Sequence, residues 1–275
     1  MLSEKESNYN IEYFELQYKE LISEILRNGE LRETRNGKTK SLFGRSIKVD
    51  LTIHKDFIPL LNNRKMYYNG VLGEFAAFMH NAKSVEEFKS FGCNYWELWA
   101  DAEGRLELDY SEQLFNFNGV NQLDNLIESL SSDPYSRRHI ISLWRPDRFD
   151  KISLHCCHYS YQFYVTSDNQ LDMIWNQRSV DIMVGLPSDI ILAYLWVKSL
   201  SVMLGFKPGI ITMNLGDCHI YEEHVRNSYS YLEFKAPRVL PKASFGSTDI
   251  TKFTKDCVDV YEYDPHETIK FLLKA

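Results

Sequence analysis

The stretch IILAYLWVKSLSVMLGF, from Ile190 to Phe206, is apolar on almost every helical face. A helix of that kind has to be enclosed, either by protein or by lipid. Lys198, Ser199 and Ser201 interrupt it before it reaches the length a membrane span needs. Pro187 to Leu204 therefore reads as the buried helix of a folded core. Strand-like runs flank it: LDMIWN (171–176) before and GIITMNL (209–215) after. Further strand signals lie at Ile47 to Leu51, HIISLW (139–144) and SLHCCHYSYQFYV (153–165). Residues 10–28 carry Ile11, Phe14, Tyr18, Leu21, Ile22 and Ile25 at helical spacing. Gly70 to Met79 and Leu123 to Leu130 also read as helices. Strands and helices mixed without regular alternation point to an α+β fold. With no repeat, no low-complexity tract and no Pro/Gly/Ser linker, residues 1–275 read as one domain.

A net charge of -7 argues against general nucleic-acid binding, while leaving room for a local arginine pocket around one phosphate. MLSEKESNYNIEYFE lacks the apolar core of a signal peptide. The five cysteines, two of them adjacent, do not form a disulfide framework. A cytoplasmic protein with reduced thiols is expected.

In LHCCHYSYQFYV, His155, Cys156, Cys157 and His158 stand side by side. On a strand, alternate residues face opposite ways, so His155 and Cys157 share one face and Cys156 and His158 the other. Four neighbours on one strand cannot surround a tetrahedral zinc ion. Cys218, His219 and His224 are the only other cluster, and nothing in the sequence ties them to this strand. No metal is expected. Taken alone, the two cysteines read either as small core thiols or as a core thiol beside a nucleophile.

The surrounding motifs decide between these. DPYSRRHIISLWRP precedes the strand; NQRSVDIMVGLPSDIILAY, GDCHIYEEHV and YDPHETIK follow it in order. With SLFG, GEFAAFMH and WELWADAEGRLELDY upstream, they cover nearly the whole chain, which resembles the thymidylate synthase family. The resemblance implies a large mixed sheet with packed helices, paired through the sheet as a homodimer. It implies one-carbon transfer from 5,10-methylenetetrahydrofolate to C5 of a nucleoside monophosphate. By resemblance Cys157 is the thiolate that adds across the C5–C6 bond, and its neighbour Arg178 is expected to lower its pKa. Arg137, Arg138, Arg178 and Arg35, with Arg32 as the alternative, match the phosphate-binding arginines, and Ser179 adds a hydroxyl. Arg137 and Arg138 are implied to reach the partner subunit's site; read without the family, they are a solvated turn. Glu74 matches the general acid/base, against the plainer reading of a surface carboxylate. Tyr110 matches a tyrosine near the C5 proton, and His219 and Tyr221 match contacts to the sugar 3'-hydroxyl. Gln177 falls in the substrate motif; Asp181, Trp96 and Gly185 fall at folate-binding positions.

One departure bears on the substrate. Where thymidylate-forming members carry Asn after Gly-Leu-Pro-Phe, this chain reads GLPSD, which puts Asp189 at that position. An amide offers a donor and an acceptor, which suits uracil; a carboxylate offers acceptors only, which suits the cytosine amine. The same change is seen in the deoxycytidylate hydroxymethylases, where water and not hydride completes the reaction. The expectation is hydroxymethylation of a cytidylate, dCMP or CMP. The rivals are cytidylate methylation, ordinary dUMP methylation and a catalytically silent nucleotide-binding regulator. Read without the family, Ser188 or Asp189 is a helix cap. Two further departures are Ala77, in Glu74-Phe75-Ala76-Ala77, where a Trp is usual, expected to open space near the folate and admit water, and Arg145 after Trp144. His155-Cys156 stands where the family has Pro-Pro, and nothing in the sequence explains that change.

Overall fold

The computed structural model describes residues 4–233, 239–246 and 249–274, with side chains from Phe14 onward. In chain order the elements are α1 (Glu4–Asn28), β1 (Glu30–Thr34), β2 (Gly37–Asp50), α2 (Tyr68–Met79) and α3 (Val85–Ser90). Then come α4 (Asp109–Phe115), α5 (Gln122–Ser132), β3 (Ile140–Ser142), β4 (His158–Val165) and β5 (Gln170–Asp181). α6 (Gly185–Leu204), β6 (Lys207–Tyr221), α7 (Val225–Leu232), β7 (Lys242–Phe245) and β8 (Val258–Tyr261) complete the set. The side chain of Ile11, counted in the expected first helix, lies outside the described ones.

Six strands form one sheet in the order β1-β2-β6-β5-β4-β3, and β7 pairs with β8 separately. β5 and β6 run parallel, and the other neighbours are antiparallel, so the sheet is mixed. α6 crosses over from β5 to β6 and packs on both; α2 packs against α6, and α1 covers β2. Period-two burial selects the sheet's inner face: Leu171, Met173, Trp175 and Gln177 on β5 are buried, as are Ile211, Met213 and Leu215 on β6. Polar side chains line the other face, where Asn176 Nδ2 donates to Ser160 Oγ at 3.1 Å and Asn214 Nδ2 to Asn176 Oδ1 at 2.9 Å.

α6 is buried almost throughout, including Leu195, Val197, Ser199, Leu200 and Ser201. It ends at Gly205, whose φ of 77° is the left-handed cap a glycine adopts without penalty. Its length and apolar composition would also fit a membrane span, but here they are taken up by the core. Three of the expected elements came out differently, the first being the strand expected at Ile47 to Leu51, which already starts at Gly37. The strand expected from 153 begins only at His158, with an irregular register between His158 and Ser160. The 139–144 strand is confined to Ile140–Ser142.

Replacing Leu195, which is fully buried on α6, by Ala should cost about 2–5 kcal/mol of stability through lost transfer energy and the cavity left behind. Urea unfolding measures this directly, and a change below about 1 kcal/mol would contradict the enclosed position of the helix.

Candidate active site

A cleft opens beside the ends of β5 and β6, where the tip of the β1–β2 hairpin leans over it. Arg35 and Asn36 form that two-residue tip and line the cleft with Cys157, Arg178, Ser179, Asp181, His219 and Tyr221. Arg32 is not among the lining residues; it forms an ion pair with Asp217 at 2.7 Å. Of the two candidates on this hairpin, Arg35 is the one that faces the cleft. Gly216 lets β6 close on β5 here, because a Cβ would come within 2.4 Å of the Arg178 carbonyl oxygen.

Arg178 also shapes the segment that carries the thiol. Its Nε donates to the Cys156 carbonyl at 2.8 Å and its NH2 group to the His155 carbonyl at 2.9 Å, while its backbone N–H donates to the Cys157 carbonyl at 2.8 Å. Three backbone carbonyls are thus held by one residue, which is why 155–157 stays out of the strand ladder. The alternation of faces survives: Cys156 and His158 are buried, Cys157 half-buried toward the cleft. Burial outweighs the expected downward pull of Arg178 on the Cys157 pKa, a pull that is present. Burial pushes the thiol up, the Asp189 carboxylate adds to this, and the nearby charge of Arg178 offsets only part of it. The Cys157 backbone N–H donates to Tyr110 Oη at 2.6 Å.

A second layer lies behind the cleft wall. Glu74 is buried on α2, with Tyr95 Oη donating to its Oε2 at 2.8 Å and Trp96 Nε1 to its Oε1 at 2.7 Å. Burial outweighs both hydrogen bonds and raises its pKa to about 7. Asp189, on the second turn of α6, is buried as well and accepts from Gln177 Nε2 at 2.7 Å. Its pKa is also raised to about 7, by burial above all. Neither carboxyl has a cationic partner among these contacts. Two groups poised near neutrality, of which Asp189 acts on the thiol, can hold or release protons at working pH.

Asp189 does not cap its helix. No side chain caps α6; Asp181 Oδ1 accepts from the N–H groups of Met183 at 2.9 Å and Val184 at 3.2 Å, in the turn just before the helix. Asp181 nevertheless lines the cleft, its pKa raised by burial against the opposing pull of His224 and His219. Ser188 Oγ donates back to the Val184 carbonyl at 3.4 Å and does not cap either. Gly185 opens α6 between the two carboxylates: a Cβ there would meet Asp189 Oδ2 at 3.7 Å and Asp181 Cβ at 3.8 Å.

Other expectations shift. Trp96, expected at the folate, lies in the layer behind Glu74 among Phe78, Phe88 and Tyr110, and Trp99 is the indole that lines the cleft. Ala77 is fully buried and is not among the residues that line the cleft; Phe78 packs on Trp96 and Tyr110. Arg137 and Arg138 are exposed and do not line their own chain's cleft. Arg145 turns away from it, donating to Gln113 Oε1 and Asn118 Oδ1 and pairing with Asp147 at 2.6 Å. Asn36, Leu154, Asp217 and Lys274 line the cleft as well; of these, Leu154 opens the quoted LHCCHYSYQFYV stretch and Asp217 lies in GDCHIY. Among the described residues, no three His, Cys, Asp or Glu side chains gather as metal ligands would.

The raised carboxyls carry a pH signature. Glu74 and Asp189 titrate near 7 when folded, against ordinary values of 4.5 and 3.8. Over that window the folded chain binds more protons than the unfolded one, so stability falls as pH rises, by on the order of 3 kcal/mol per group. Urea unfolding from pH 4.5 to 8 should show this fall, and Glu74→Gln should remove its share. A Glu74→Gln profile parallel to that of the parent protein would contradict it.

The thymidylate synthase family model matches residues 16–275. A protein named as a probable thymidylate synthase, from Escherichia phage T5, is 30% identical over 285 residues, spanning 92% of this chain and 98% of that protein. Members of the family bind a pyrimidine nucleoside monophosphate and 5,10-methylenetetrahydrofolate as co-substrate, and transfer one carbon to C5 of the base. With the mixed sheet, the thiol segment and the arginine-lined cleft in place, the chain belongs to the thymidylate synthase family.

Proposed function

We propose that this enzyme acts on a cytidylate and that Asp189 selects the base. The observation that carries this reading is the burial of Asp189 inside α6, with Gln177 as its hydrogen-bond partner and no capping duty. Cytosine presents an amine donor at C4 and an acceptor at N3. A carboxyl group holding one proton answers both: one oxygen accepts from the amine while the other shares its proton with N3. A titration point near 7 makes that proton available. An amine lost from the base would leave a buried acceptor unpaired, and sites of this kind discriminate by about 10⁴ or more.

Arg35, Arg178 and Ser179 hold the phosphate in this reading, with Arg137 and Arg138 of a second copy completing its charge. The sheet's outer face leaves Tyr164 and Ile174 exposed, which supports a homodimer packed through the sheet. His219 and Tyr221 meet the sugar. Cys157 bonds to C6, which makes C5 nucleophilic, and Tyr110 holds the backbone of Cys157 in place. The folate supplies a carbon at the oxidation level of formaldehyde. Apolar walls at Trp99 and Leu154 and an acceptor at Asp181 suit a flat heterocycle with N–H groups. Glu74, near neutrality, handles the protons and orients the water that ends the reaction. With water as the final reactant the base gains a hydroxymethyl group, the thiol leaves C6, and tetrahydrofolate is released without net oxidation.

The name of the phage T5 relative favours a second reading, methylation of dUMP with dihydrofolate as co-product. A competition assay separates them. The enzyme receives methylenetetrahydrofolate with dCMP, CMP, dUMP and UMP together, and products are read by mass spectrometry. A hydroxymethyl adduct on a cytidylate is expected and names the sugar. A methyl adduct on dUMP, with the dihydrofolate absorbance, would overturn the proposal.

A further inference from the structure

Trp175 stands two residues before Gln177 on β5 and is fully buried. Its ring lies against His158 and Tyr161, with centroids 4.3 and 4.7 Å away. Packing alone would accept any aromatic residue there. The indole adds one polar atom, and Nε1–H donates to Gln177 Oε1 at 2.9 Å. An indole N–H can only donate, so the oxygen end of the Gln177 amide is fixed toward Trp175. The NH2 end then meets two acceptors, Asp189 Oδ2 at 2.7 Å and the Ser179 carbonyl at 3.1 Å. All three contacts demand the same orientation, which settles an assignment that amide side chains ordinarily leave open.

That orientation bears on the base. A carboxyl group with one proton can also pair with uracil, provided the proton sits on the oxygen that meets O4. Cytosine needs the reverse, an acceptor facing the C4 amine and the proton facing N3. An oxygen that already accepts from Gln177 is the poorer place for the proton. Asp189 Oδ1 has no hydrogen-bond partner among the described residues and is free to carry it.

We propose that Trp175 is a specificity-positioning residue: by locking Gln177 as a donor, it keeps Asp189 Oδ2 an acceptor for the cytosine amine and leaves the proton to Oδ1 and N3. The inference rests on the reading of Asp189 as base selector. Without the indole N–H, only the Ser179 carbonyl still opposes a turned amide; turning then costs less, and the turned form offers its oxygen to Oδ2 and favours a proton there, which is the uracil pattern.

The test is calorimetric binding of dCMP and dUMP to four forms of the full chain. These are the parent, Trp175→Phe, Asp189→Asn, and a chain with benzothienylalanine at 175, which keeps the bicyclic shape and replaces N–H by sulfur. Loosened packing weakens both nucleotides alike, so the ratio of the two dissociation constants is the readout. The parent should prefer dCMP and Asp189→Asn should prefer dUMP. Trp175→Phe and the benzothienyl chain should narrow the dCMP preference about tenfold, the scale of one hydrogen bond. If Asp189→Asn inverts the preference while both indole replacements leave it unchanged, the role of Trp175 is overturned and that of Asp189 stands. If Asp189→Asn has no effect on the ratio, the reading of Asp189 falls and the Trp175 inference with it. Should Trp175→Phe not fold, the isosteric benzothienyl chain decides.

Discussion

The enclosure of α6 is the constraint on which the rest of the site depends. A helix apolar on all sides is stable in water only when sheet and helices wrap it, and β5, β6 and α2 do so. Enclosure begins at the first turn, so a carboxyl group at Asp189 is buried along with the apolar residues around it. An isolated charge there is costly, which is why the group titrates near neutrality and holds a hydrogen-bond donor beside it. The stability of the core and the electrostatics of the site come from the same packing.

Three groups share that low-dielectric layer: Glu74, Asp189 and the Cys157 thiol, all with raised pKa. Glu74 raises the cost of ionising Asp189, Asp189 that of ionising Cys157, and Arg178, with Arg35 to a lesser degree, works against this at the thiol. The resting site is therefore biased toward neutral, protonated groups. In the proposed reading, a nucleotide brings a phosphate to the arginines and a proton acceptor to Asp189, and substrate binding and proton placement become one event. Gln177 and Trp175 then matter as fixed dipoles rather than as charges.

Much of this was legible in the sequence, for identifiable reasons. The buried helix showed itself because no face of it was polar, and the strands around it because their apolar residues alternated. That Cys157 and Arg178 would share one cleft was legible through several short motifs in register. The strand expected at 153–157 was not formed, because the carbonyls of His155 and Cys156 are taken by a guanidinium more than twenty residues away in sequence. The thiol's net pKa was not legible for a similar reason: the sequence displays the neighbouring arginine, which does pull it down, while burial, which outweighs that pull, appears only when the chain is folded. Trp96 and Trp99 lie on one short 3-10 turn, and only their packing shows which of the two indoles reaches the cleft.

The central claim is that cytosine meets Asp189 through a shared proton at N3. Nuclear magnetic resonance of dCMP labelled with ¹⁵N at N3 and N4, bound to the enzyme without folate, tests it most directly. The account expects a far-downfield proton coupled to N3 and an amine with restricted rotation, both lost in Asp189→Asn. A bound dCMP whose N3 keeps the shift of an unprotonated, unpaired ring nitrogen would contradict it.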